Sequence, residues 1–148
     1  MKALIQRSKG AKVSVEGEVV GQIGPGLLVL LGVTHEDSEK DVDFLVQKIV
    51  NLRVFPGEGG EFDTSALEGK REILVVSQFT LYGSCKKGRR PDFNDAAKPE
   101  HAEALYKIFV QKVRETGLTV ATGQFQAYMQ VDLNNDGPVT LMLESKSS

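Results

Sequence analysis

The chain has 148 residues, with 18 basic and 20 acidic side chains, a formal net charge of −2 and a pI near 5.7. That length suits one domain, able to bury roughly 70% of its unfolded surface, and a composition 41% hydrophobic and 26% charged excludes disorder and a disulfide-stapled scaffold. Mild acidity excludes a broad phosphate-tracking face, and the single Cys85 excludes an intrachain disulfide.

At the N-terminus, Met1-Lys2-Ala3-Leu4-Ile5-Gln6-Arg7 has too short an apolar stretch for a secretory signal, and residues 27–31 are too few to span a bilayer. The expectation is a cytoplasmic protein with no membrane contact. Residues 2–7 and 12–16 alternate in polarity, and Glu16-Gly17 before Glu18-Val19-Val20 supplies the glycine of a tight hairpin, predicting three strands. Residues 26–33 are nearly all apolar, as in a strand buried on both faces. From Ser38 the period changes: Val42, Leu45, Val46, Ile49 and Leu52 follow helical spacing, with Ser38 and Asp41 as a variant capping pair. Phe55-Pro56-Gly57-Glu58-Gly59-Gly60 breaks that helix as a flexible connection, and residues 72–81 return to β-rich sequence. Pro99 opens a second helix with Ala102, Leu105, Tyr106, Phe109 and Val113 on one face, and Gly117 ends it. Phe125, Ala127, Met129, Val131 and Leu133 then alternate, as do Val139, Leu141 and Leu143, predicting two strands that flank Gly137-Pro138. The order β-β-β-β-α-β-α-β-β-β implies an α/β fold, a mixed sheet system on which both helices bury one apolar face.

Chemistry-bearing residues are sparse. Ser77 and Thr80 carry hydroxyls, yet no histidine or lysine in the same peptide supplies a base. His35 precedes a helix and His101 sits in the first turn of another, where structural roles are the default. Lys86, Lys87, Arg89 and Arg90 cluster around Gly88, reading either as a solvated loop or as a local grip on RNA. Asp132, Asn134, Asp136 and Gly137 open like a calcium loop, but Pro138 and Leu143 fall at positions seven and twelve, so the segment reads as turn chemistry. Gly57-Glu58-Gly59-Gly60 lacks the Gly-Lys-Ser/Thr ending of a phosphate loop. No metal or cofactor motif is present, and Cys85 beside Lys86 and Lys87 reads as an incidental loop cysteine. Gly137-Pro138 marks either a hairpin corner or a place where glycine admits a ligand while proline fixes the neighbouring carbonyls. Phe125 and Met129 read as core residues that can also wall a pocket.

Ser77-Gln78-Phe79-Thr80-Leu81 and Asn135-Asp136-Gly137-Pro138-Val139-Thr140, with Gly88, Arg90-Pro91 and Phe93 in order between them, resemble the two signature motifs of the D-aminoacyl-tRNA deacylases over nearly the whole chain. The resemblance implies a single domain over residues 1–148, with mixed β-sheets forming a partial barrel and two main helices packed on it. It implies hydrolysis of the ester of D-aminoacyl-tRNA, and of mischarged glycyl-tRNA, at the tRNA 3′ end without a cofactor or metal. By the same resemblance, Phe79 and Thr80 offer backbone groups that position and stabilise the carbonyl oxygen, supported by the Ser77 and Gln78 side chains. Gly137 and Pro138, through a cis peptide donated by the partner in a homodimer, exclude L side chains, and Phe125 and Met129 line the pocket. Lys86, Lys87, Arg89 and Arg90 then become RNA contacts. Gln126, Tyr128 and Asn134 depart from the usual family residues at the site's edge. Two other readings stay open: a non-enzymatic nucleic-acid-binding module, and a conventional esterase using Thr80 as nucleophile.

Overall fold

The structure, a computed structural model, describes residues 1–146. It is organised around β1 (Lys2–Val15), one continuous strand where the sequence pattern predicts two. The polar stretch Ser8-Lys9-Gly10 does not interrupt it, because Ser8 Oγ accepts from the Gly10 N–H at 3.0 Å and donates to the Gly10 carbonyl at 2.5 Å. Between Ser8 and Ala11 three steps along β1 face two along its neighbour, from Asn135 to Leu133, a one-residue bulge in β1 that the hydroxyl satisfies in place.

One edge of β1 pairs antiparallel with β8 (Gln130–Glu144) over almost its whole length. The other edge is shared end to end by β3 (Gly26–Gly32), against residues 2–8, and β2 (Glu18–Ile23), against residues 11–15. From β3 the sheet continues in parallel to β6 (Glu72–Ser77) and then to β7 (Val120–Thr122). This six-stranded sheet curls until β2 meets β7. At the meeting point a Cβ on Gly21 would lie 2.1 Å from the Thr122 carbonyl oxygen, so only glycine permits the approach. The fold is thus a single α/β domain whose mixed sheet nearly closes into a barrel.

The apolar run of β3 is buried on both faces, as its sequence predicts, and the alternation sorts it between two cores. Leu27, Val29 and Leu31, with Ile73 and Val75 of β6, face α1 (Glu39–Asn51) and α3 (Pro99–Glu115). Those helices contribute Val42, Leu45, Val46 and Ile49, and Leu105, Tyr106, Phe109 and Val113. Leu28, Leu74 and Val76 point the other way into the barrel, with Val13 and Ile23. Each fully buried large apolar side chain contributes about 1.5–3 kcal/mol relative to exposure.

Both helices start as their sequences suggest. Asp41 accepts the Ser38 N–H at 2.8 Å, and Pro99 occupies the first turn of α3. Elsewhere the expectations need correction. The glycine-rich stretch after α1 is an ordered hairpin, β4 (Phe55–Gly57) with β5 (Gly60–Thr64), in which the Gly59 N–H is held by the Asp63 carboxylate at 2.9 Å. A short helix, α2 (Ala66–Gly69), follows, capped reciprocally by Ser65 and Glu68 at 3.1 Å each. β6 stops at Ser77, and Phe79–Tyr82 forms a 3-10 turn. Residues 125–129 are not a strand despite their alternation. They form a turn, with Gln126 at a φ of 63°, and β8 begins only at Gln130. From there β8 runs through Gly137-Pro138 without ending, where two strands are predicted.

An ionic cluster joins the two chain ends to α1. The Met1 α-ammonium pairs with Asp37 at 2.8 Å, and Ser145 Oγ donates to Asp41 at 2.7 Å. Burial pushes the Asp41 carboxyl up, but the Ser38 N–H, the Ser145 hydroxyl and the Lys146 ammonium outweigh it and hold the group below its ordinary value. A depressed folded-state pKa stabilises the fold above the unfolded value of about 3.9, and that contribution is lost as pH falls through the folded value. Urea midpoints of the wild type and Asp41→Asn, separated at pH 7, should therefore converge as pH drops below about 4.

The close approach of β3 and β6 gives a second test. A Cβ on Gly26 would lie 1.8 Å from the Glu72 carbonyl oxygen, whereas one on Gly10 meets nothing nearer than 3.8 Å. Gly26→Ala should lower the unfolding free energy by about 3 kcal/mol in urea titrations, and Gly10→Ala should leave it nearly unchanged.

Candidate active site

The first motif occupies the carboxyl end of β6, inside a parallel set of strands, where helices or loops rather than sheet must take over the backbone hydrogen bonds. Ser77 still pairs with Leu31, and the Gln78 N–H reaches the Leu31 carbonyl at 2.8 Å. The chain then tightens into the 3-10 turn, with the Leu81 N–H on the Gln78 carbonyl at 3.3 Å and the Gly83 N–H on the Thr80 carbonyl at 2.9 Å. The N–H groups of Phe79 and Thr80 head this turn, a position with no acceptor inside a helix, and no acceptor among the described residues takes them. The Gln78 side-chain amide donates to Thr80 Oγ1. Thr80 and Phe79 are exposed, and Ser77 and Gln78 are half-buried.

Three segments surround the turn. Phe93 packs edge-on against Phe79 with ring centroids 5.1 Å apart. Ser84 and Asp92 exchange backbone hydrogen bonds of 2.7 and 2.8 Å, closing a loop that carries Lys86, Lys87, Arg89 and Arg90, all exposed. On the other side residues 123–129 leave β7 beside β6, with the Gly123 N–H on the Val75 carbonyl at 3.2 Å. This turn is anchored in both cores: Phe125 lies 5.8 Å from the buried Tyr106 ring, and Met129 packs on the barrel cluster that includes Val76. Phe125 and Met129 are therefore packing residues first, at the end of the strand that leads into the motif. Beneath the turn, Lys2 Nζ sits 4.9 Å from the Tyr82 ring centroid. Burial, and then the carboxylates of Asp37, Glu144 and Asp41, push the Tyr82 hydroxyl pKa well up, so it stays protonated at neutral pH.

The second motif is an excursion within β8. Two steps along β1, from Gln6 to Ser8, face five along β8, from Thr140 to Asn135, so three extra residues bulge out. Asn135 closes the bulge, its amide oxygen accepting the Val139 N–H at 2.8 Å and its amide nitrogen donating to Thr140 Oγ1 at 2.9 Å. The Gly137-Pro138 peptide is cis, and Gly137 has a φ of 143°, where a Cβ would meet Val139 Cγ2 at 2.8 Å.

Arg7 holds this excursion from beneath. Buried to 5% exposure, it donates from Nε to the Asp136 carbonyl and from Nη1 to the Val54 carbonyl, each at 2.8 Å, and it pairs with Glu61 at 3.7 Å. It thereby fastens the Gly-Pro segment to the β4–β5 hairpin. Arg7 belongs to neither motif, yet its position carries a signal in the sequence: Ala3, Ile5 and Arg7 share the inward parity of one strand, and a charge at that parity needs partners.

One chain does not bring the two motifs together. Gly137-Pro138 lies level with Arg7 on the far side of β1, three strand spacings and about four residues out of step from Ser77. At ~4.8 Å per strand and ~3.3 Å per residue the separation is on the order of 15–20 Å. Neither histidine approaches the hydroxyls as a base. His35 Nε2 bonds the Asn94 carbonyl at 2.6 Å and His101 Nε2 the Asp37 carbonyl at 2.9 Å. Among the described residues no three His, Cys, Asp or Glu side chains converge as metal ligands, and Asp132, Asn134 and Asp136 lie along β8 rather than around a calcium loop.

The geometry of these two motifs has relatives. The D-Tyr-tRNA(Tyr) deacylase family pattern matches residues 4–144. A D-aminoacyl-tRNA deacylase of Bacillus mycoides is 58% identical over 99% of this chain and 100% of its own length, and one of Bacillus thuringiensis is 56% identical over the same shares. Among solved structures, the c-Myc DNA Unwinding Element Binding Protein superposes with a TM-score of 0.93 at 46% identity, covering 99% of this chain and all of that one. A probable eukaryotic D-amino acid tRNA deacylase superposes at 0.86 with 18% identity, covering 97% of this chain and 98% of that one, a likeness of fold. The chain belongs to the D-Tyr-tRNA(Tyr) deacylase family. It is a hydrolase of that class, acting on the ester bond of D-aminoacyl-tRNA.

The Arg7 clamp can be measured directly. Arg7→Lys keeps the charge but cannot reach both carbonyls, so it should cost about 2–4 kcal/mol of stability and speed hydrogen exchange at the Val139 amide relative to amides of β3.

Proposed function

We propose that the chain works as a homodimer in the cytoplasm, hydrolysing D-aminoacyl-tRNA and glycyl-tRNA at a site built from Ser77–Thr80 of one copy and Gly137-Pro138 of the other. The observation that carries this reading is the placement of the two motifs three strands apart within one chain, on the order of 15–20 Å, together with the exposed bulge of the second. A bulge clamped by Arg7 and closed by Asn135 is a rigid probe with no pocket of its own chain to fill. Seated in a second copy, the carbonyls of Gly137 and Pro138 occupy the volume an L side chain requires, and Phe125 and Met129 wall the rest.

In this site the ester carbonyl oxygen lies against the free N–H groups of Phe79 and Thr80, which stabilise the negative charge that develops as water adds to the carbonyl carbon. The terminal adenosine 2′-hydroxyl assists the attack. The bond between the carbonyl carbon and the ribose oxygen breaks, releasing free amino acid and tRNA. Ser77 and Gln78 support the turn, and the loop with Lys86, Lys87, Arg89 and Arg90 holds phosphates of the RNA. Thr80 lacks the base that activates a hydroxyl nucleophile: its side-chain partner among the described residues is the Gln78 amide, which donates to its oxygen and cannot take its proton. The conventional-esterase reading is weaker for that reason. Nucleic-acid binding without chemistry is the second reading, favoured by the name of the 46% identical neighbour and by the basic loop.

Purified protein should release tyrosine from D-Tyr-tRNA and glycine from Gly-tRNA while leaving L-Tyr-tRNA intact. Binding to tRNA or duplex DNA with no release from any of the three would favour the second reading. Thr80→Ala should keep activity within about tenfold, whereas loss of a covalent nucleophile would cost ten-thousandfold or more. Gly137→Ala, which forces a Cβ against Val139 and Arg7, should narrow the ratio of kcat/KM for D-Tyr-tRNA over L-Tyr-tRNA. Replacing the four basic loop residues with alanine should raise KM and flatten its salt dependence.

A further inference from the structure

The turn at residues 123–129 has an outward face that packing does not explain. Its inward residues, Phe125 and Met129, anchor it in the two cores, and the Ala127 N–H closes on the Gln124 carbonyl at 3.1 Å. The residues between them, Gln124, Gln126, Tyr128 and then Gln130, are all exposed. Tyr128 is 87% exposed, the most exposed of the large hydrophobic side chains of the described chain. Gln126 holds a left-handed φ of 63°, which is uncommon for this residue type and fixes the direction of the turn. A large aromatic ring presented to water on a doubly anchored turn stabilises nothing within its own chain.

The chemistry of the face is uniform. From Thr116 to Val131 the sequence contains no charged side chain, in a protein that is 26% charged. Three primary amides and a phenol remain within this stretch, and the first carboxylate beyond it is Asp132, two residues past Gln130 on β8. Amides of this kind pair with the edges of unstacked bases, and an exposed aromatic ring takes a base on its face. The turn starts beside Val75, two residues before Ser77, so it stands at the same end of the sheet as the first motif. The basic loop of residues 84–92 extends from the other side of the 3-10 turn.

We propose that Tyr128, flanked by Gln124, Gln126 and Gln130, forms a base-stacking rim for the unpaired nucleotides that precede the terminal adenosine of the substrate tRNA. The inference rests on the deacylase reading above and extends it beyond the ester itself. Tyr128 is a binding residue for the single-stranded RNA, with no part in the bond-breaking step. Its contribution appears with a substrate that carries those nucleotides and is missing from one that does not.

The test compares wild type, Tyr128→Ala and Tyr128→Trp on two substrates, D-Tyr-tRNA and D-tyrosine esterified to adenosine alone, with anisotropy of a labelled single-stranded RNA ending in C-C-A as a readout independent of activity. Tyr128→Ala should raise KM for D-Tyr-tRNA and Kd for the RNA about tenfold, leave kcat unchanged, and leave the adenosine ester unaffected. Tyr128→Trp should restore both. Thermal unfolding should be unaltered, since the ring is exposed. An unchanged KM on tRNA, or an equal loss on the adenosine ester, overturns the proposal. A shift in sedimentation of Tyr128→Ala also overturns it, by giving the ring to contact between copies. If wild type releases tyrosine from neither substrate, the deacylase reading itself fails, an outcome distinct from a failure of the rim alone.

Discussion

A guanidinium group buried within a β-strand sets the terms for much of this molecule. Arg7 sits where the alternation of β1 demands an apolar residue, and removing a cation from water is tolerable only where hydrogen bonds replace the lost hydration. Val54 and Asp136 supply carbonyls, and Glu61 supplies a carboxylate. These partners come from three separate stretches of chain: the connection after α1, the β4–β5 hairpin and the bulge in β8. A requirement of charge solvation thus becomes a geometric constraint, fixing a bulge that has few backbone hydrogen bonds of its own.

The same logic of local satisfaction recurs in the two motifs. In the second, Asn135 takes over the pairing that β1 cannot provide across three extra residues. In the first, the sheet ends, and the tightening of the chain into a 3-10 turn leaves two N–H groups facing outward. Each motif is a place where the regular ladder stops. One stops by closing on the Asn135 amide and the Arg7 guanidinium and becomes rigid, the other by leaving donors open and becomes receptive.

The sequence made the apolar architecture plain and the polar architecture obscure. The run through β3, the helical spacing from Val42 to Ile49 and the Pro99 start of α3 are all present in the structure, because burial imposes a period that a single sequence displays. Both motif peptides stood out by resemblance. What escaped was the pairing of polar side chains with backbone groups. Nothing near Arg7 in sequence announces Val54 or Asp136, and nothing near Gly57 announces the Asp63 carboxylate that orders its hairpin. The alternation from Phe125 to Met129 suggested a strand, but inward and outward residues also alternate in an anchored turn, and period alone does not distinguish the two.

The contact between β2 and β7 has a mechanical meaning. Every other neighbouring pair around the barrel is laced by a ladder, whereas here a bare Cα rests against the Thr122 carbonyl with no shared hydrogen bonds between the strands. The barrel is therefore a tube slit along one side, and shape rather than stitching keeps the slit shut. That seam begins one residue from the turn that carries Phe125 and Met129. Parting β1 from β3, or β3 from β6, breaks a ladder, whereas opening the seam breaks none, so the seam is where the barrel can widen with the fewest hydrogen bonds lost.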